Sequence, residues 1–262
     1  MEEKSFKKYI ILWLSQGISG LGSSMTGFAL VLWAYGQSHS AMSVSLMSFC
    51  NYVPYVFLSL FVGGFIDRHK KKTIMLVSDS IAAAGSLAVL ALLLAGCLAV
   101  WNIYAINAVI GVTNAFQQPA SAVATGRLVP KEKISNVSGM NSFSNNLIVV
   151  FSPMLAAFLF AAGGLPLILL IDLASFAFAF CVLLFYITIP EQAQDKAYSS
   201  PFAGIAQGFD FLKKEKGILY IMLTMALINF CSRLTYENIL SPMILARSSG
   251  DSAALGIVNA CM

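Results

Sequence analysis

Charged side chains are scarce in this sequence. Asp, Glu, Lys and Arg make up 11% of the 262 residues, against about 25% in ordinary soluble domains. The five cysteines form no C-x-x-C pair, and neither a G-x-x-x-x-G-K-[ST] loop nor an H-E-x-x-H pair is present. These absences argue against a disulfide framework, a zinc site and a phosphate-binding loop. We therefore predict a protein that is not an enzyme and that uses no cofactor and no metal.

Long apolar stretches take the place of charge, since 58% of the residues are hydrophobic. A bilayer core of about 30 Å requires about 20 apolar residues per crossing helix. Seven stretches meet this length, and an eighth begins near Ser252 and reaches Met262. The seven predicted spans are Tyr9 to Tyr35, Ala41 to Ile66, Thr73 to Ala95, Val100 to Thr125, Val137 to Ala162, Leu165 to Thr188, and Gly217 to about Ala246. The sequence predicts an all-α polytopic membrane protein.

The lysines and arginines are distributed unevenly between the two sides of these spans. All of the 16 except Arg233 and Arg247 lie on the side of the N-terminus, and the turns on the other side contain none. Basic loops stay in the cytoplasm, so we predict a cell-membrane protein with a cytoplasmic N-terminus. The basic residues are dispersed among short loops, which argues against a nucleic-acid partner and leaves the lipid bilayer as the surrounding medium.

The stretch GGFIDRHKKKT, residues 63–73, joins the second span to the third. Its cations, Arg68 and the lysines at 70–72, anchor the loop in the cytoplasm on the simplest interpretation. That interpretation does not explain the acid at Asp67 or the glycines one turn before it. Gly63 permits close approach of another helix, and Asp67 is placed to bond a helix N-terminus or an arginine.

The pattern Gly63-x-x-x-Asp67-Arg68-x-x-x-Lys72 resembles the loop between helices 2 and 3 of the major facilitator superfamily, G-x-x-x-D-R/K-x-G-x-R-K/R. The stretches QGISGLGSSMTGFAL, NAFQQPASAVATGRLVPKEK and IDLASFAFAF resemble its macrolide-efflux-like branch of drug:proton antiporters. In the loop, Lys70 stands where the second glycine of the pattern is usual, and Thr73 stands where a base is usual. Two further sites depart from the family's patterns. Asn107 stands where an arginine often precedes Gly111, and Pro153 is followed by alanines where glycines are usual.

The resemblance implies two six-helix bundles around a central cavity, and export of hydrophobic drugs such as macrolides by proton-coupled alternating access. It implies a cytoplasmic latch formed by Gly63, Asp67, Arg68 and Lys72. The expected divisions are a first bundle at 1–189, a linker with an amphipathic helix at 190–216, and a seventh helix with part of an eighth at 217–262. We expect a transporter truncated after helix 7 that needs its missing C-terminal half to export. The alternative is a non-transporting remnant or a regulatory membrane protein.

Four charged residues lie within the predicted spans. Each costs roughly 2.5–3.5 kcal/mol at mid-membrane on insertion scales and is a functional candidate for that reason. Asp79 lies two turns into the third span from the cytoplasmic side, and Asp172 lies two turns into the sixth span from the outside, so their depths match from opposite sides. Each is either a proton-titrating carboxylate or a structural acid. Arg233 and Glu237 are four residues apart, so they share a helix face and either line the cavity or neutralise one another.

The remaining candidates are neutral side chains that would give an apolar drug cavity a few hydrogen-bonding groups and aromatic contacts. The small residues around them in the first span equally fit a helix-packing face. These cavity candidates are Gln16, Ser23, Thr26, Trp33, Asn114, Gln117, Asn141 and Asn145.

Overall fold

The computed structural model describes residues 2–189, 210–235, 243 and 247, and within these ranges it contains helices and no strand. The chain divides into two units, Met1–Ala197 and Tyr198–Met262. The helices of the first unit are α1 (Glu2–Ser38), α2 (Ala41–Arg68), α3 (Lys71–Leu94), α4 (Val100–Leu128) and α5 (Ile134–Cys181). A short 3₁₀ turn, Lys131–Lys133, precedes α5, and a π-helical turn, Val182–Tyr186, follows it.

Among the described residues, four helical segments are long and apolar enough to cross a membrane: Phe6–Ser38, Met42–Arg68, Lys71–Leu94 and Ile134–Tyr186. The last has 53 residues, which is enough for two crossings. With 29 residues, α4 is also long enough, but Asn and Gln side chains make it more polar than these four. The prediction of an all-α membrane fold is confirmed.

Helix α5 contains two arms that meet at Gly164 without a loop. The backbone at Gly164 has φ 67° and ψ −167°, a conformation that is essentially restricted to glycine. Residues 134–163 form the first arm and residues 165–181 the second, matching the fifth and sixth predicted spans. One glycine therefore makes the whole turn that the sequence predicts near Gly163 and Gly164.

Small residues allow α1 to lie along the first arm of α5. An added Cβ at Gly17 would lie 3.4 Å from Ser144 Oγ, and one at Gly20 would lie 3.4 Å from a methyl carbon of Ile148. Further along, the hydroxyls of Ser24 and Ser152 are 2.8 Å apart. Small side chains let membrane helices approach closely enough for dispersion contacts and hydrogen bonds to hold them.

Helix α2 packs along α4, and its backbone comes closest at Gly111. A Cβ at this glycine would overlap the backbone carbonyl of Asn51 and would lie 3.2 Å from the Cα of Asn51. The Asn51 side chain donates to the carbonyl of Asn107, one turn before Gly111, at 3.2 Å. Asn107 and Gly111, which stand at the ends of the family's R-x-x-x-G pattern, therefore lie where α4 crosses α2.

Two apolar clusters fill the bundle, one towards each end. We call the end where α1, α3 and α5 begin the proximal end and the other the distal end. Tyr9, Met75 and Leu128 belong to the proximal cluster, whereas Met25, Val89 and Ile168 belong to the distal cluster. The side chains between them form a polar layer: Gln16, Ser23, Ser24, Asp79, Ser86, Gln117, Ser152 and Asp172.

The second unit contains α6 (Lys216–Thr235), which begins within one residue of the seventh predicted span. Arg233 lies in this helix. Glu237, residues 190–209 of the predicted linker, and the eighth apolar segment lie outside the described residues. The division at 1–189, 190–216 and 217–262 stays a prediction.

Candidate functional site

Asp79 lies in the polar layer between amide side chains from two other helices. Gln117 Nε2 on α4 donates to Asp79 Oδ1 at 2.8 Å, and Gln16 Nε2 on α1 lies 3.4 Å from Asp79 Oδ2. Both donors are neutral, and no described Lys, Arg or His side chain bonds this carboxyl group. An acid without a cationic partner can gain or lose a proton without breaking an ion pair.

Asp172 lies in the second arm of α5 and is 4% exposed. Its Oδ1 accepts a hydrogen bond from Ser23 on α1 at 3.1 Å, and its Oδ2 accepts one from Ser86 on α3 at 2.9 Å. These hydroxyls connect three helices through one carboxyl group. A hydroxyl either donates or accepts, so Ser23 and Ser86 can satisfy Asp172 whether it is ionised or protonated.

The close approach of α1 to Asp172 depends on Gly22. A Cβ at this position would overlap Ser175 Oγ and lie 3.1 Å from Asp172 Oδ1. Thr26, on the next turn of α1, is 6% exposed, and its Oγ1 has no hydrogen-bond partner among the described residues. Gly22 thus keeps the space in which Ser23 reaches the carboxyl group.

The residues associated with the two acids are spaced alike on α1 and on α3. Gln16 and Ser23 are seven residues apart on α1, and Asp79 and Ser86 are seven residues apart on α3. Seven residues make about two turns, or about 10.5 Å along a helix. Along α1, the residue that bonds Asp172 therefore lies two turns beyond the residue that bonds Asp79, and along α3 Ser86 lies two turns beyond Asp79 itself. The matched membrane depths of the two acids stay a prediction.

The lysines after α2 bind helix carbonyls. Lys71 is 5% exposed, and its Nζ donates to the carbonyl of Asp67 at 3.2 Å. Lys72 Nζ donates to the carbonyl of Leu184 in the π-helical turn at 2.8 Å. The last carbonyls of a helix lack intrahelical partners and carry partial negative charge. Lys71 and Lys72 therefore stabilise two helix ends, and Lys72 ties α3 to the end of the sixth predicted span.

The latch candidates on α2 lie on an open surface of the first unit. Asp67 and Arg68 are both exposed, and the Asp67 carboxylate makes no bond to the described residues. A Cβ at Gly63 would meet no atom within 4 Å. In the described part of the chain, no helix fills the close-packing position that the sequence predicts at Gly63.

Some of the predicted cavity residues bond one of the two acids, and the others lie elsewhere in the first unit. Gln16 and Gln117 contact Asp79, and Ser23 contacts Asp172. Asn141 accepts a hydrogen bond from the Tyr9 hydroxyl at 3.1 Å, and Trp33 packs on the distal cluster. Asn145 is exposed and Asn114 is half-buried.

Ser86 and Gly22 belong to this site, although sequence reasoning did not select them. Ser86 follows Asp79 by seven residues and so lies on the same face of α3. Gly22 directly precedes Ser23 in a helix that also has glycines at 17, 20 and 27. Helical spacing from Asp79 was the signal available for Ser86, and the series of glycines in α1 was the signal available for Gly22.

Comparison with known proteins identifies the family to which this sequence belongs. Residues 12–261 match the model of the Major Facilitator Superfamily. The chain belongs to this superfamily. It is therefore a membrane protein of a transporter family, and the predicted resemblance to this superfamily is confirmed.

Several curated proteins are similar to this chain. Macrolide efflux protein A of Streptococcus pyogenes is 27% identical over 227 residues, which cover 85% of this chain and 55% of that protein. The protein of the same name from Enterococcus faecalis is 30% identical over 195 residues, covering 73% and 59%. An uncharacterised MFS-type transporter of Bacillus subtilis, YfiS, is 28% identical over 233 residues, covering 86% and 54%. The chain thus spans about half the length of these relatives.

Proposed function

We propose that this chain supplies the first bundle of a secondary transporter that exports hydrophobic drug-like compounds, with macrolides as the first substrates to test, in exchange for protons. The similarity to two proteins named macrolide efflux protein A carries the substrate class. The antiporter mechanism draws its support from the polar layer. Asp79 and Asp172 are held there by neutral side chains from three neighbouring helices.

In this proposal the two acids bind the coupling proton. A carboxylate inside a membrane is costly and is retained where it has a function or a partner. Asp79 accepts from two amides and Asp172 from two hydroxyls, and neither set of partners supplies a positive charge. Uptake of a proton neutralises each carboxyl group without releasing a cation into the bilayer interior.

The second bundle docks on the open face of α2. Apolar residues on this face follow the alternating spacing of four and three that places side chains along one helix stripe. Phe49, Val56 and Leu60 are 61%, 58% and 61% exposed, and the stripe ends at Gly63 and Asp67. The full stripe is Met42, Leu46, Phe49, Val53, Val56, Leu60, Gly63 and Asp67. Asp67 at its end would form the latch with that bundle, assisted by Arg68.

A second bundle is required because alternating access consists of one half moving against the other around a shared site. The relatives are nearly twice as long as the segment that this chain matches. We propose that the partner half shares the substrate cavity, in a cell membrane with the basic loops facing the cytoplasm.

The experiment measures accumulation of a fluorescent hydrophobic drug in cells that lack their main exporters. Cells express the 262-residue chain alone, the chain with a separately encoded half containing helices 8–12, or the same pair carrying Asp79→Asn. We expect lower accumulation only with the unaltered pair, and we expect a protonophore to abolish the difference. Efflux by the chain alone would refute the need for a second bundle. Efflux that persists with the protonophore would refute proton coupling, and no efflux by the pair would favour the non-transporting alternative.

A further inference from the structure

The amide of Gln117 uses only one of its two polar atoms. Its Nε2 donates to Asp79 Oδ1 at 2.8 Å, whereas its Oε1 is buried and has no hydrogen-bond partner within the described residues. A buried acceptor without a donor is unfavourable. The carboxyl group that the same amide contacts is that of Asp79.

The ionisation state of Asp79 determines whether Gln117 Oε1 can be satisfied. A carboxylate is only an acceptor, whereas a protonated carboxyl group carries one O–H donor. A carboxamide and a carboxylic acid are both planar groups with two adjacent polar atoms, so they can pair edge to edge through two parallel hydrogen bonds. The bond from Nε2 to Oδ1 is already present, and the second bond would run from Oδ2–H to Oε1.

We propose that Asp79 and Gln117 form an acid–amide pair in which Gln117 Oε1 is the acceptor for the proton that Asp79 binds. This inference rests on the proposed proton coupling and assigns the atoms that hold the proton. The bond that forms is the O–H bond at Asp79 Oδ2, and the bond that breaks is an O–H bond of a hydronium ion, which is left as a water molecule. No other bond changes, and the pair becomes neutral with both atoms of the amide bonded.

Other ionisable groups on the surrounding elements do not bond to the pair. Tyr9 donates to Asn141, the two lysines at the start of α3 donate to backbone carbonyls, and Asp172 accepts from serines. Within the described ranges, the Asp79 carboxyl group bonds Gln16 and Gln117 and no ionisable side chain of these elements. These ionisable residues are Lys7, Lys8, Tyr9 and Tyr35 on α1, Lys71 and Lys72 on α3, Tyr104 and Arg127 on α4, Asp172 and Cys181 on α5, and Tyr186 on the π-helical turn.

The partners of Asp172 differ from Gln117 Oε1 because each of them can both donate and accept a hydrogen bond. Ser23 and Ser86 can rotate their hydroxyls to donate to a carboxylate or to accept from an acid. Gln117 cannot exchange donor for acceptor at Oε1. The pair at Asp79 therefore favours one protonation state, whereas the serines at Asp172 accommodate both.

Infrared difference spectroscopy of the purified 262-residue chain in lipid vesicles tests this assignment. A carbonyl band of a protonated carboxyl group should appear on acidification and should be absent from Asp79→Asn. Gln117→Met keeps the side-chain length but removes both the acceptor Oε1 and the donor Nε2, so we expect this band to move to higher wavenumber. The matched control is Gln118→Met, because Gln118 accepts from the Tyr55 hydroxyl at 2.8 Å and does not contact Asp79. The control should leave the band in place.

An Asp79 band that does not move in Gln117→Met would overturn the acid–amide pair. The absence of any Asp79 band down to acidic pH would overturn both the pair and the role of Asp79 in coupling. A band that shifts as expected, combined with full proton-coupled efflux by Asp79→Asn, would refute only that role in the proposed function. If Gln117→Met does not fold, the chain is labelled with ¹³C at the glutamine side-chain carbonyls. An amide band should then shift on acidification in the wild type and not in Asp79→Asn, and its failure to shift would overturn the pair.

Discussion

Replacing Gly111 with alanine tests the crossing of α2 and α4. The new Cβ would overlap the Asn51 carbonyl, and the Cα of Asn51 would be only 3.2 Å away. Both contacts are with backbone atoms, so no side-chain rotation can relieve them. The two helices would have to separate, which would also stretch the 3.2 Å hydrogen bond from the Asn51 side chain to the Asn107 carbonyl.

The expected cost follows from three effects. Overpacking costs roughly 1–3 kcal/mol, and rigid backbone contacts place Gly111→Ala at the upper limit. Loss of an interhelical hydrogen bond in a membrane protein adds about 0.6 kcal/mol. The higher helix propensity of alanine offsets about 1 kcal/mol. The free energy of unfolding should therefore fall by roughly 2–3 kcal/mol, taking these three terms together.

Thermal unfolding of the purified chain in detergent measures this loss, with Gly126→Ala as the control. Gly126 lies on the same helix, and a Cβ there would meet no atom within 4 Å. For a chain of this size, 1 kcal/mol changes the midpoint by about 2–4 °C, so Gly111→Ala should lower it by roughly 4–12 °C. The control should leave the midpoint unchanged or raise it. Equal midpoints for the two variants would show that the backbones do not approach at Gly111.

Three further predictions concern the loop after α2. Lys72→Ala should lower the unfolding midpoint, because it removes the hydrogen bond to the Leu184 carbonyl. Lys70→Ala, at an exposed position, should not lower it, and equal effects would show that the bond from Lys72 to Leu184 does not stabilise the fold. In a transporter completed with the second bundle, Asp67→Asn should reduce drug efflux at normal abundance in the membrane, and unaltered efflux would exclude the latch. In intact cells, an impermeant thiol reagent should label a cysteine placed at Gln37 but not one placed at Lys70, and the reverse pattern would invert the proposed topology.

The sequence predicted the helices better than it predicted their contacts. Every predicted span in the first unit corresponds to a helix or an arm of α5, because the apolar length required by a bilayer is a local property. Asp79 and Asp172 stood out as acids in apolar surroundings. Their partners did not, since Gln117 is 38 residues from Asp79 and Ser23 is 149 residues from Asp172. A polar side chain in a membrane helix gives no indication of which neighbour it faces until the helices are packed.

The lysines at the start of α3 show a related limit. Their charge predicted a cytoplasmic anchor. The family's loop pattern includes Lys72 and not Lys70, but nothing in the sequence predicted a carbonyl partner for either lysine. The structure separates them, because Lys70 is exposed and Lys72 reaches a carbonyl 112 residues away. Whether a cation also stabilises a helix end depends on where other helices end, which local sequence does not encode.

The junction at Gly164 has a consequence for how the protein enters the membrane. Because one residue separates its two arms, α5 has no hydrophilic segment that could lie at the membrane surface between the insertion of the first arm and that of the second. The arms must therefore leave the insertion machinery together as a hairpin. Asp172 enters with them, eight residues beyond the turn, and the serines that bond it lie on helices made earlier. Synthesis in chain order thus has these hydroxyls ready when the carboxyl group arrives.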